Sequence, residues 1–164
     1  MKSLFYTIAI CFTLAFGACK TESKEPKNTS LNEVKSLHEF MVGSWETTYI
    51  KIEYPTYQKA DSSFVFEDDF SNPKSGRAQS KYNNDGTFTA WFKQPDSSKV
   101  GESNGKWKVK GDSLLVDYFY LGKQVQAWYT IQKSKNSFEG KVIYDWDNDG
   151  DFDDILLMKS KRIK

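Results

Sequence analysis

Asn84-Asp85-Gly86-Thr87-Phe88-Thr89-Ala90-Trp91-Phe92-Lys93 is the stretch that decides the architecture. A turn signal, Asn-Asp-Gly, opens directly onto a run whose period is two, with Phe88, Ala90 and Phe92 on one face. The same alternation returns at Val125, Ala127, Tyr129 and Ile131, and again at Phe138, Gly140, Val142 and Tyr144. Further turn signals at 73–76, 110–112, 121–123 and Asp149-Gly150 punctuate these runs. The spacing predicts strands at 44–54, 62–69, 77–83, 86–93, 104–110, 113–120, 124–133, 137–146 and 153–162. No proline falls inside a predicted strand, where its missing N–H would break a ladder. Many short antiparallel strands at this interval, in a chain that is 16% aromatic, specify an all-β domain, either a barrel or a sandwich.

Upstream the period changes. Leu31, Val34, Leu37, His38 and Met41 recur at three and four residues, with Ser30 and Glu33 placed as a capping box, which predicts one short helix ending at Gly43. Gly43-Ser44-Trp45 then opens the first strand. This tripeptide resembles the Gly-x-Trp signature of the lipocalins and their calycin relatives, the bacterial lipocalin-like domains in particular. The order Asn84-Asp85-Gly86-Thr87-Phe88, Gly105-Lys106-Trp107, Gly111-Asp112-Ser113-Leu114 is similar to the hairpin turns of those domains. The resemblance implies a single antiparallel up-and-down β-barrel of about 8–9 strands behind a short N-terminal helix, spanning 31–164. It also implies that Trp45 closes one end of the barrel, with a basic residue of the last strand, Arg162 or else Lys161, across its ring. A Thr-Asp-Tyr motif, disulfide cysteines and a helix after the last strand, all typical of secreted lipocalins, are absent from the sequence.

The first nineteen residues carry an address. Lys2 precedes an apolar run from Leu4 to Phe16, too short for a permanent membrane span, and Gly17-Ala18 lead into Cys19. Phe16-Gly17-Ala18-Cys19 resembles the lipobox of bacterial lipoproteins, with Phe where Leu is usual. The resemblance implies a lipoprotein signal peptide over 1–18, lipidation of Cys19, and attachment to the bacterial cell envelope. Lys20 after the lipid site points to the outer membrane. The plainer alternative is an ordinary signal peptide cut near Ala18. Residues 19–30 contain nothing apolar beyond Cys19 and are expected to form a disordered tether. Cys11 and Cys19 are the only cysteines, so the domain is expected to fold without a disulfide or a thiolate metal site. The formal charge of the full chain is +1 and Lys2 leaves with the leader, so no basic field exists to attract nucleic acid.

Asp145-Trp146-Asp147-Asn148-Asp149-Gly150-Asp151-Phe152-Asp153-Asp154 is the sharpest chemical feature. Asp145, Asp147 and Asp149 before Gly150 match the first half of an EF-hand-type calcium loop, in which alternate oxygens wrap a hard cation. The twelfth position is Leu156, not Glu, so Asp151, Asp153 or Asp154 would have to complete the shell. The competing reading is a solvated hairpin tip with Asp149-Gly150 as its turn and Asp145 opposite Asp154.

Enzyme chemistry has little support. His38 is the single histidine and lies on the apolar side of the predicted helix. Glu67, Asp68 and Asp69 read as a solvated strand end, and no nucleophile elbow, phosphate loop or dinucleotide fingerprint occurs. The expected role is therefore a non-enzymatic binding module for a small apolar or amphipathic molecule. Phe88, Phe92, Trp107, Tyr129, Phe138 and Tyr144 are the inward candidates to line its pocket. The alternative is an interaction or scaffold protein whose barrel those same side chains fill.

Overall fold

A computed structural model describes residues 35–120 and 122–163. The leader, Cys19, the tether and the start expected for the helix lie outside the described residues. The chain folds as α1 (Leu37–Met41), β1 (Gly43–Tyr54), β2 (Phe64–Asp68), β3 (Arg77–Tyr82), β4 (Thr87–Lys93), β5 (Lys99–Lys110), β6 (Ser113–Tyr120), β7 (Lys123–Lys133), β8 (Ser137–Tyr144) and β9 (Asp154–Ile163). The fold is all-β: one closed antiparallel barrel of eight strands, plus one extra strand.

The described helix begins at Leu37, where Ser36 is its N-cap and forms a complete capping box with Glu39, while the start expected at Leu31 falls on residues outside those described. Ser36 N–H and hydroxyl both donate to Glu39 Oε2, at 3.0 and 2.8 Å, which satisfies the first turn and leaves residues 35 and 36 extended outside the helix. Strand β5 starts at Lys99 rather than at 104, since the Asp96–Ser98 turn delivers it directly onto β4. A bulge opposite Trp91, with Gly101 at φ +61°, keeps that pairing going through polar residues whose pattern does not alternate.

Closure comes from β1 and β9, which pair from Ser44↔Ile163 to Glu53↔Ile155. The other edge of β1 is shared. Its first residues pair with β3 (Gly43↔Tyr82 to Glu46↔Gln79) and its last with β2 (Ile50↔Asp68 to Tyr54↔Phe64). Residues 69–76 loop out between the two, so β2 and β3 are successive pieces laid along one neighbour.

The two ends of the barrel differ in filling. Near α1 the inner face is a packed core of Met41, Trp45, Tyr82, Phe88, Trp107, Leu114, Tyr129 and Phe138, all buried. Phe138 meets Trp45 edge-on at 4.9 Å, Tyr82 lies 4.9 Å from Phe88, and His38 stacks on Trp107 at 4.8 Å. At the far end β1, β4, β6 and β8 finish and β2, β5, β7 and β9 begin, so four connections form a rim.

A candidate metal centre and an aromatic rim

At the α1 end, Trp45 is 1% exposed, and its indole N–H donates to the Met41 carbonyl at 2.8 Å. The Arg162 guanidinium lies 4.2 Å from the Trp45 ring centroid, and it donates to the carbonyls of Val42 (2.8 Å) and Phe40. One cation thus stacks on the indole and satisfies two carbonyls at the end of α1. Gly43 makes the approach feasible: its φ is +133°, and a Cβ there would run into Arg162 Nη1. Burial pulls the Arg162 pKa below the usual arginine value.

At the rim, the β8–β9 connection carries the acidic run. Tyr144 pairs with Asp154, so the register is one residue off the simple hairpin, and Asp145 does not face Asp154. Asn148 at φ +66° and Gly150 at φ +100° curl the segment into a loop, a conformation these two residue types tolerate best. The curl turns alternate side chains inward. Asp145, Asp147 and Asp149 each bring a carboxylate oxygen to within 4.8 Å of the others. Asp145 and Asp149 are only 8% exposed. The Asp149 N–H bridges Asp145 Oδ1 and Asp147 Oδ1, each at 3.1 Å, and the Asp151 N–H donates to Asp149 Oδ1 at 2.8 Å.

Asp154 lies beneath this loop at 0% exposure. Its Oδ2 accepts from the N–H groups of Trp146 (2.6 Å) and Asp147 (3.2 Å), while Oδ1 has no partner. Burial, then the charges of Asp147 and Asp153, raise its pKa above the ordinary aspartate value against those two hydrogen bonds. Among the described residues no lysine or arginine pairs with these carboxylates; the ion pairs lie elsewhere on the barrel. Two unit charges about 4 Å apart repel by about 4 kcal/mol at an effective dielectric of about 20. A group of all-oxygen donors with that repulsion could hold a hard metal ion, and the one cation beside it among the described residues, Lys123 Nζ, donates to the Asp145 backbone carbonyl at 3.0 Å. Asp151 and Asp153 stay outside the group. Asp151 lines an open cleft, and Asp153 accepts from the Thr56 hydroxyl at 3.4 Å.

The β1–β2 loop is the part of this region that the sequence did not reveal. Gln58 N–H donates to Asp147 Oδ2 at 2.7 Å, and Lys59 N–H to Asp149 Oδ2 at 3.2 Å. These are backbone donors about ninety positions from their acceptors, so no side-chain pattern announces them.

Next to the metal group, the inner face is aromatic and open. Ile50 and Ile52 pack against the core, and β2 pairs Phe66 with Ile52 and Phe64 with Tyr54, so Phe64 and Phe66 share that inner face. They remain 46% and 42% exposed, as does Tyr120 at 42%. Of the six pocket candidates, Phe88, Trp107, Tyr129 and Phe138 lie in the packed core, while Phe92 and Tyr144 are half-buried on the side of the rim. Two open clefts, of about 410 and 380 Å³, are present: the first borders the rim loops from Thr56 to Asp61 and Asp149 to Asp151, and the second lies at the β7–β8 turn beside Lys159 and Ser160.

No protein-family model matches the chain, and no curated protein gives a significant match. The barrel is compatible with a lipocalin-like fold.

Proposed function

We propose that this chain is a lipid-anchored, lipocalin-like binding module of the bacterial cell envelope. It takes a small apolar or amphipathic molecule at the rim of its barrel and calcium in the Asp145–Asp147–Asp149 group. The contrast between the two ends carries the ligand reading: the inner face is buried near α1, whereas at the rim Phe64, Phe66 and Tyr120 stay exposed. Covering one such side chain is worth about 1.5–3 kcal/mol when fully buried, so a few contacts suffice for useful affinity. The packed lower barrel makes this a shallow site. Calcium is supported by the three converging carboxylates of Asp145, Asp147 and Asp149. The anchor rests on the lipobox-like residues ending at Cys19. Among the described residues no helix is long and apolar enough to cross a membrane.

Native mass spectrometry of protein taken from its own host tests the ligand reading. A co-purifying small apolar molecule, displaced by a fluorescent apolar probe, is the expected result. Recovery of the empty chain, with no probe uptake in the presence or absence of calcium, would overturn it.

A further inference from the structure

We propose that the outer edge of β2 is a self-association surface, to which a second copy of this chain adds its own β2, antiparallel, about a twofold axis at Val65. Among the described residues β2 pairs with β1 alone, so alternate N–H and C=O groups along Phe64–Asp68 point to an edge that no strand fills. Edges of this kind are ordinarily blunted by Lys, Pro or a bulge. The overhanging start of β5, which β6 does not reach, is blunted in that way by Lys99 and by a bulge beside Gly101. Strand β2 is not. Its Phe64, Val65 and Phe66 lie in unbroken register with Tyr54, Glu53 and Ile52, and Val65 is 50% exposed.

The pattern along the strand selects the occupant. Ser62-Ser63-Phe64-Val65-Phe66-Glu67-Asp68 reads the same in polarity from either end, with Val65 at its centre. Paired antiparallel about Val65, Phe64 of one copy faces Phe66 of the other and Val65 faces Val65, while Ser63 faces Glu67 and Ser62 faces Asp68. Each apolar side chain then meets an apolar one and each carboxylate meets a hydroxyl, as an isologous contact requires. The Tyr49 hydroxyl donates to Glu67 Oε1 at 3.0 Å and the Phe70 N–H to Asp68 Oδ1 at 2.7 Å, so the second oxygen of each carboxylate is left for a serine of the second copy. The two Glu67 side chains stand about 13 Å apart along the seam, beyond the Debye length of about 8 Å at physiological salt. Other registers lack this match. A parallel pair sets Glu67 beside Glu67, and an antiparallel pair centred on Phe66 sets Phe64 against Asp68 and Val65 against Glu67.

The seam is bounded at both ends. Upstream, the Ala60 N–H closes a turn on the Tyr57 carbonyl; downstream, Phe70 is buried at φ +54° and turns the chain away. An interface this short falls in the weak class, below about 1,200 Å² in total, so half-association is expected at about 100 µM. Because the axis is twofold, each copy's β2 edge is covered by its partner's, and growth stops at two.

The test is sedimentation of the full purified chain from about 1 to about 500 µM, a range that brackets a weak dimer. The mass should rise from monomer toward dimer and no further. Val65→Lys sets two ammonium groups across the axis and should weaken association by about tenfold or more. Val65→Thr keeps the β-branch and should change it by less than about threefold, both variants retaining the circular dichroism of the wild type. Register is read by oxidation with glutathione disulfide in a Cys11→Ser, Cys19→Ser background. There Val65→Cys should cross-link to itself, whereas Ser63→Cys and Glu67→Cys should cross-link only when the two proteins are mixed. A chain that stays monomeric at the highest concentration would overturn the proposal, as would a dimer indifferent to Val65→Lys. A monomer that instead captures a synthetic lysine-rich strand peptide at Val65 would assign the edge to a foreign chain and overturn it too. Val65→Cys dimers without the mixed cross-link would overturn the antiparallel register.

Discussion

Arg162 and Trp45 show how much rests on single residues at the closed end. The indole is buried against Phe40 and Phe138, and its N–H is satisfied by Met41. Trp45→Ala should cost about 3–5 kcal/mol in urea denaturation, the range for emptying a large aromatic site. Glu46, next along β1, is the residue whose ionisation matters to stability. Burial pushes its pKa up, but hydrogen bonds from Gln79 (2.9 Å) and Lys161 (3.2 Å) outweigh burial and hold it below the usual glutamate value. A depressed carboxylate stabilises the fold above its unfolded pKa of about 4.3, and that contribution fades as pH falls through the lower native value. The stability advantage of wild type over Glu46→Gln should therefore be full at about pH 7 and shrink toward about pH 3. A constant difference across that range would show that Glu46 acts through packing alone.

At the scale of elements, the β8–β9 loop and β2 are the two that depart from plain barrel design. Calcium at about 100-fold its dissociation constant should add about 2.7 kcal/mol by mass action, seen as a rise in melting temperature. Asp147→Asn with Asp149→Asn should abolish the rise and leave the strands intact in circular dichroism. Strand β2 exposes Phe64, Val65 and Phe66 next to a fully paired neighbour. Phe64→Ser with Phe66→Ser should cost under about 1 kcal/mol per site, as for other exposed positions, yet weaken an apolar probe at least severalfold. A large stability loss without a change in probe affinity would mark β2 as a structural strand only.

For the whole molecule, the proposed anchor is testable apart from the barrel. Cys19→Ser should abolish metabolic fatty-acid labelling and release or misprocess the protein while the domain still folds. Labelling that persists in the variant would end the lipoprotein reading. Anchoring scales at about 0.8 kcal/mol per buried methylene, so the loss of several chains should be complete rather than partial.

Alternation and turn chemistry made the strands legible, because a side chain's face and a turn's φ are set within a few residues. The runs at Thr87–Lys93, Lys123–Lys133 and Ser137–Tyr144 form strands close to their predicted limits for that reason. The acidic run, too, showed its alternate carboxylates in advance, since a loop of this kind is local. What the sequence could not supply were relations between distant segments. That β2 and β3 share one edge of β1 depends on strand pairing, not on periodicity. The one-residue shift that sets Tyr144 against Asp154 follows from the register of two whole strands. The contact of Gln58 and Lys59 with the acidic loop is made by backbone N–H groups, which every residue but proline possesses, so only the closed barrel could bring those two positions to their carboxylates.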